Sequence, residues 1–350
     1  MGKKVWIEAL RIFALFWGLY NHTATYGWTL FSNSQVVLSA AERSINFLLF
    51  AFCKISVPLF LMISGALLLG RDESRKKNLR RVLRITVLIM LVAMANFLYF
   101  HSIHHEYTQN IHNLADFIKT LYGSTTLCTY YLWLYLGFLL SIPFLREIAK
   151  KRELVVYATV GYIVLAEVLP VFELCLGWSS FNLNNYGGIF AIYYICPLVG
   201  YWIDSAESIF SKKTAQLVNV IAVVSLLANA GIGVWAWELQ GVIWILTPVI
   251  LSACLFYDAK YLSYFAEYKA LRGGTRLSFF RKMVLALSPQ TLGAFLVSGV
   301  LIWKVFGVYT VLVAYIPHTL AAFAWVLVTL ILCQTITAVI RLIPFMKRLL

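Results

Sequence analysis

Acidic side chains are scarce in this chain, and charge of either sign is thin: fifteen Asp and Glu stand against twenty-nine Lys and Arg, 13% of 350 residues together. With 61% of residues apolar and a mean hydropathy of +0.80, there is too little polar side chain to cover a soluble globule. The six cysteines have no CxxC spacing, which excludes a zinc ribbon and a dithiol redox motif. No HExxH helix accompanies the histidines, and the HxxHH run at His101, His104 and His105, with His112 nearby, reads as a solvated loop, so no metal is expected. Repeats, low-complexity tracts and a soluble appendage are also missing, so residues 1–350 read as a single domain.

What fills the chain instead is long apolar runs. Segments able to cross about 30 Å of hydrocarbon fall near residues 5–27, 44–70, 82–101, 131–148, 154–172, 188–204, 214–235, 240–257, 284–306 and 309–335. The expected fold is therefore all-α, a polytopic membrane protein of about ten transmembrane helices. The start Met1-Gly2-Lys3-Lys4 leads into the first run with no small-residue cleavage site, and Gly2 lacks the Ser or Thr that myristoylation needs, so that run is expected to remain as a helix. Cys53, Cys196, Cys254 and Cys333 fall in or near helices and read as small apolar fillers. Cys128 and Cys175 map to one side of the membrane, where oxidation is permitted, and the sequence leaves their pairing open.

Loop charge sets the orientation. Lys3 and Lys4, the Arg71–Arg84 and Arg146–Arg152 stretches, Lys212 and Lys213, the Lys260–Lys282 loop, and Arg341, Lys347 and Arg348 hold 24 of the 29 bases, whereas the alternate loops hold only Arg43, Lys119 and Lys304. Positive loops stay inside, so both termini are expected in the cytoplasm. The net charge of +14 describes a cytoplasmic face suited to anionic lipid headgroups or a phosphorylated donor. Nucleic acid is a poor partner for bases spread over several short loops.

Inside the first run, Arg11 and His22 carry the strongest functional signal. Eleven helical steps of about 100° come within about 20° of whole turns, so both side chains leave one helix face about 16 Å apart along the axis. An arginine at mid-depth costs about 2.5–3.5 kcal/mol, and two ionisable groups on one stripe suggest a lined cavity. A plainer reading stays open, with Arg11 snorkelling to the cytoplasmic headgroups and His22 satisfied at the opposite interface. Lys54 lies about 24 Å from the inner end of the second run, at a depth similar to His22. A lysine so deep must face a hydrated, protein-lined space. Ser56, Pro58 and the Ser64-Gly65 step share that run, and Asn96, Glu167 and His318 read as interhelical hydrogen-bonding residues.

The string IEALRIFALFWGLYNH, followed by KISVPLFLMISGALLL and NLRRVLRI, resembles the opening of the acyltransferase-3 family of integral membrane acyltransferases, in which Arg, ten residues, His is the first-helix motif. YYLWLYLGFLLSIPFL, IYYICPLVGYWID and LSPQTLGAFLV resemble later family segments in the same order. Many members carry a histidine where this chain has Ser298 in LVSGVL.

The resemblance implies a multi-pass protein of the inner (cytoplasmic) membrane. It would move an acyl group, most often acetyl, from cytoplasmic acyl-CoA to a hydroxyl of an extracytoplasmic glycan or lipid-linked saccharide. His22 then becomes the group that removes the acceptor's proton or relays the acyl group. Arg11, with Arg80, Arg81 and Arg84, would meet the phosphates of acyl-CoA (acetyl-CoA). Lys54 would stabilise the developing oxyanion, with Ser64 lining the substrate path. Tyr130, Tyr131, Trp133, Tyr135 and Trp178 would stack sugar rings, although aromatics at these depths also form the ordinary interfacial belt. A secondary transporter or flippase of a lipid-linked sugar is the competing class.

Overall fold

The computed structural model describes residues 4–25, 45, 48–49, 52–103, 113–123, 130–169, 192–206, 211–235, 248–270 and 277–350. Helices account for nearly all of these, and no strand occurs among the described residues. In chain order they are α1 (Val5–Thr25), α2 (Ser56–Leu68), α3 (Arg75–Ile103), α4 (Leu114–Gly123), α5 (Tyr130–Ala149), α6 (Arg152–Tyr162), continued by a π-turn (Ile163–Val168), and α7 (Ile192–Ser205). There follow α8 (Lys212–Trp235), α9 (Pro248–Ala270), α10 (Leu277–Leu287), a 3-10 turn (Ser288–Gln290), α11 (Thr291–Lys304), α12 (Phe306–Leu312), α13 (His318–Ile340) and α14 (Pro344–Leu349). Among the described residues, Tyr131–Ala149, Phe279–Lys304 and His318–Ile340 are each long and apolar enough to cross a membrane.

The centre of the bundle is α2. Residues all round it are buried, including Leu59, Leu61, Met62, Ile63 and Leu68, as expected of a helix surrounded by others. Its first turn holds Pro58, where the missing N–H costs nothing because the first four amides of a helix have no partner in it. Gly65 then lies directly on the backbone of Pro197 in α7, and Gly200 of α7 lies on the backbone of Met62, so a Cβ at either glycine would overlap main-chain atoms. This reciprocal pair draws α2 and α7 together backbone to backbone, the use membrane helices make of small residues. On the opposite flank Ser56 Oγ donates to the Ala14 carbonyl at 2.7 Å, and Gly18 leaves room for that hydroxyl. These contacts fix α1 against α2.

The larger apolar core gathers Ile7, Leu15, Leu19, Tyr20, Leu59, Met62, Ile195, Phe256, Ala321 and Trp325 from α1, α2, α7, α9 and α13. A second cluster joins α3 to α5 through Ile85, Leu88, Leu132, Phe138 and Leu139, with Leu198 of α7. The basic ends of the helices fasten to one another at one end of the bundle. Lys4 pairs with Asp204 at 2.7 Å, Lys260 donates to the Ile203 carbonyl at 3.0 Å, and Arg146 donates to the Leu68 carbonyl at 3.0 Å.

Of the expected spans near the end of the chain, one is interrupted and one is locally tightened. Pro289 sits inside the run 284–306 and tightens one turn of it to a 3-10 turn between α10 and α11, with Phe279–Lys304 still one stretch. Pro317, with ψ of 145°, divides the run 309–335: α12 ends at Leu312 and α13 begins at His318 and continues to Ile340. The break at Pro317 follows from the missing amide hydrogen and the extended geometry that proline imposes, whereas the residues flanking Pro289 stay helical. Cys53, Cys196, Cys254 and Cys333 are buried, as their apolar settings led us to expect. Trp178, Cys128, Cys175, Arg43, His104, His105 and His112 lie outside the described residues.

Candidate active site

Because α1 is unbroken from Val5 to Thr25, Arg11 and His22 do project along one helix, and they reach two different cavities. The inner cavity, about 460 Å³, is lined by Arg11, Ser64, Arg84, Arg341, Lys347 and Arg348 among others. No Asp or Glu side chain lines it, and five basic side chains face one space, an arrangement suited to a polyanion. Arg11 is half-buried and is oriented by Glu8, one turn earlier, through an ion pair of 2.7 Å. Arg84 donates through Nε to the Leu349 carbonyl at 3.0 Å, and Arg341 donates to the Pro289 carbonyl, so α14 and the 3-10 turn are both held at the rim.

The outer cavity, about 180 Å³, is lined by Asn21, His22, Cys53, Lys54 and Ser56, with Gly18, Val57, Pro58, Ile192 and Pro248. His22 is only 8% exposed. Lys54 Nζ donates to Asn21 Oδ1 at 2.7 Å, which holds the ammonium beside the turn that carries the imidazole. The similar depth read from the two helices is thus realised as a shared cavity. A base next to a cation in a small cavity can accept a proton from a hydroxyl while the cation faces an oxyanion.

Three residues line both cavities: Phe60, Tyr131 and Phe295. Their rings touch, with centroids 5.5 Å apart for Phe60 and Tyr131 and 5.8 Å apart for Tyr131 and Phe295. The order along each helix agrees with this layering. On α2, Lys54 just upstream and Pro58 face the outer space, Phe60 is shared, and Ser64 faces the inner one. On α11, Thr291 and Leu292 are inner and Phe295 is shared.

The remaining sequence candidates separate clearly. Arg81 is taken by Glu73, which also pairs with Lys77 at 2.9 Å, and Arg80 is exposed; neither lines either cavity. The Arg81 hydrogen bond, opposed by partial desolvation and helped by Lys77, holds the Glu73 carboxyl down at about 2. Ser64 lines the inner cavity and donates to the Phe60 carbonyl at 2.8 Å. Trp133, 39% exposed, lines neither cavity, whereas Tyr131 is nearly buried and Tyr135 faces the inner one. Ser298 is buried and donates to the Phe295 carbonyl at 2.6 Å, and His318 bonds Tyr309 at 2.8 Å away from both cavities.

Sequence reasoning passed over Arg341, Lys347 and Arg348, which it counted only as loop charge, and over Glu8, Asn21, Phe60 and Phe295. Glu8 and Asn21 carried a usable signal, since each is a polar residue within three positions of a motif residue on an apolar helix. No group of three His, Cys, Asp or Glu able to hold a metal occurs among the described residues. Compared with known proteins, residues 4–338 match the family model described as an acyltransferase domain. No curated protein and no solved structure matches the chain.

Proposed function

The chain belongs to the acyltransferase-3 family, and from that membership we propose a specific reaction: transfer of an acyl group, acetyl first among them, from cytoplasmic acyl-CoA to a hydroxyl of an extracytoplasmic glycan or lipid-linked saccharide. The observation that carries this reading is the placement of Arg11 and His22 on one helix in two adjoining cavities, one ringed by bases and one holding His22 with Lys54. The reading includes about ten spans in the inner membrane with both termini cytoplasmic, as the loop charges support.

In this mechanism the phosphates of acyl-CoA rest on Arg11, Arg84, Arg341, Lys347 and Arg348. His22 takes the proton of the acceptor hydroxyl as the hydroxyl oxygen attacks the thioester carbonyl. Lys54, held by Asn21, faces the negative charge that gathers on the carbonyl oxygen. The C–S bond then breaks, the new C–O ester bond remains, and the proton passes from His22 to the departing thiolate. Purified protein in nanodiscs, given radiolabelled acetyl-CoA and an extract of envelope glycans, is expected to esterify label to the glycan. A transporter would leave both molecules chemically unchanged, and that result would overturn the reading.

A further inference from the structure

The basic cavity and the His22 cavity adjoin, and the same three rings line both of them. Those rings come from three separate helices, Phe60 from α2, Tyr131 from α5 and Phe295 from α11, so the layer is a feature of the packed bundle rather than of one segment. Tyr131 is 8% and Phe295 7% exposed. Centroid separations of 5.5 and 5.8 Å are the contact range of aromatic pairs, so Tyr131 bridges the other two rings. The reaction described above nevertheless requires a thioester anchored on one side to meet His22 on the other.

We propose that Phe60, Tyr131 and Phe295 form an acyl-selective septum, which admits a short acyl group to His22 and holds back longer acyl chains and water. The inference rests on the acyl-CoA reading and specifies its donor class as short-chain acyl thioesters. Three considerations support it. The passage is walled by apolar edges, which suit an acyl methyl and reject the charged remainder of the donor. The outer cavity beyond it, about 180 Å³ and already lined by Asn21, His22 and Lys54, has little room for both a long chain and a sugar hydroxyl. A dry carbonyl is also shielded from attack by water, which would otherwise cleave the thioester with water as acceptor: its C–S bond broken, a carboxylic acid and the CoA thiol released.

The test uses the full chain in nanodiscs with acetyl-CoA and hexanoyl-CoA, water as the only acceptor, and release of the CoA thiol as readout. Wild type is expected to release CoA slowly from acetyl-CoA and at least about tenfold more slowly from hexanoyl-CoA, a discrimination within reach of an apolar pocket. Phe60→Ala, and Phe295→Leu as the milder change, should raise the acetyl rate and bring the two rates to within about threefold. Tyr131→Phe keeps the ring and should retain the wild-type ratio. A merely structural role for the rings would lower both rates together without changing their ratio, and that outcome overturns the septum. Binding of 2-oxopropyl-CoA, a non-hydrolysable acetyl-CoA mimic, is measured alongside on wild type. Binding with an unchanged ratio in the variants overturns the septum alone. Absence of binding to wild type overturns the donor reading, and the septum with it.

Discussion

Lys54 reaches 2.7 Å from Nζ to Oδ1 of Asn21, the residue immediately before His22, so the cation of one helix is anchored to the turn that presents the imidazole of another. The amide thereby sets where the charge lies relative to the base, a matter neither residue type decides alone. Replacing Asn21 by Leu removes this acceptor while leaving the basic cavity untouched. Transfer is expected to fall about tenfold or more, in line with a lost hydrogen bond to a charged group, with donor affinity unchanged. A loss of donor affinity equal to the loss of rate would argue against the assignment.

His22→Ala should abolish acyl transfer and leave the protein folded, because a general base contributes about 10²–10⁴-fold in rate. The comparison is initial rate per mole of monodisperse protein, alongside titration of the acetyl-CoA mimic. The variant should still bind the mimic, since His22 lines only the outer cavity.

The basic cavity distinguishes arginines that look alike in sequence. Arg11→Ala and Arg348→Ala should each weaken binding of the mimic by about 1.5–3 kcal/mol, or roughly 10- to 150-fold. Arg80→Ala, at an exposed position away from the cavity, should change affinity by about twofold at most. Equal losses for Arg80 and Arg348 would show that diffuse charge, rather than this cavity, holds the donor.

Glu73 gives the fold an acid-sensitive point. Its carboxyl titrates near 2 instead of the ordinary 4.5, chiefly through Arg81, so the folded state favours the ionised form. The resulting stability is fully present above about pH 4.5 and is lost as the pH falls through about 2. Thermal unfolding measured at about pH 6 and about pH 3.5 should show a larger drop for wild type than for Glu73→Gln, which lacks the titration. Parallel curves would mean that the clasp contributes nothing in solution.

Orientation can be read by thiol labelling in a background without native cysteines. Cysteines at Ser74 and Ser278 should react with an impermeant reagent only after the membrane is opened, and one at Asn113 should react in intact cells. Labelling of Ser74→Cys from outside would reverse the donor side.

The helices and the Arg11/His22 pair were legible in the sequence because both depend on local periodicity, and spacing along one helix fixes which residues share a face. Depth was legible too, since counting residues from a basic end placed Lys54 level with His22. The rest required packing. Arg84 meets Leu349 across 265 residues of chain, so the bases of α14 could not be assigned to the α1 cavity from spacing. Arg81 looked as available as Arg84 until Glu73 turned out to hold it. The shared layer of Phe60, Tyr131 and Phe295 draws on three helices whose relative rotations no single periodicity encodes. Pro317 was visible as a letter, but the length of the apolar run outweighed it.

The main-chain contacts of Gly65 with Pro197 and of Gly200 with Met62 bear on how this protein works as a machine. Neither contact has a side-chain cushion that could be compressed, so the spacing of α2 and α7 is set by main chain against main chain. The groups aligned along and just ahead of α2, from Lys54 through Phe60 to Ser64, are mounted on that fixed part. In the proposed reaction the acyl group passes a frame of fixed spacing, and side-chain rotation at the ring layer is the motion that this passage calls for.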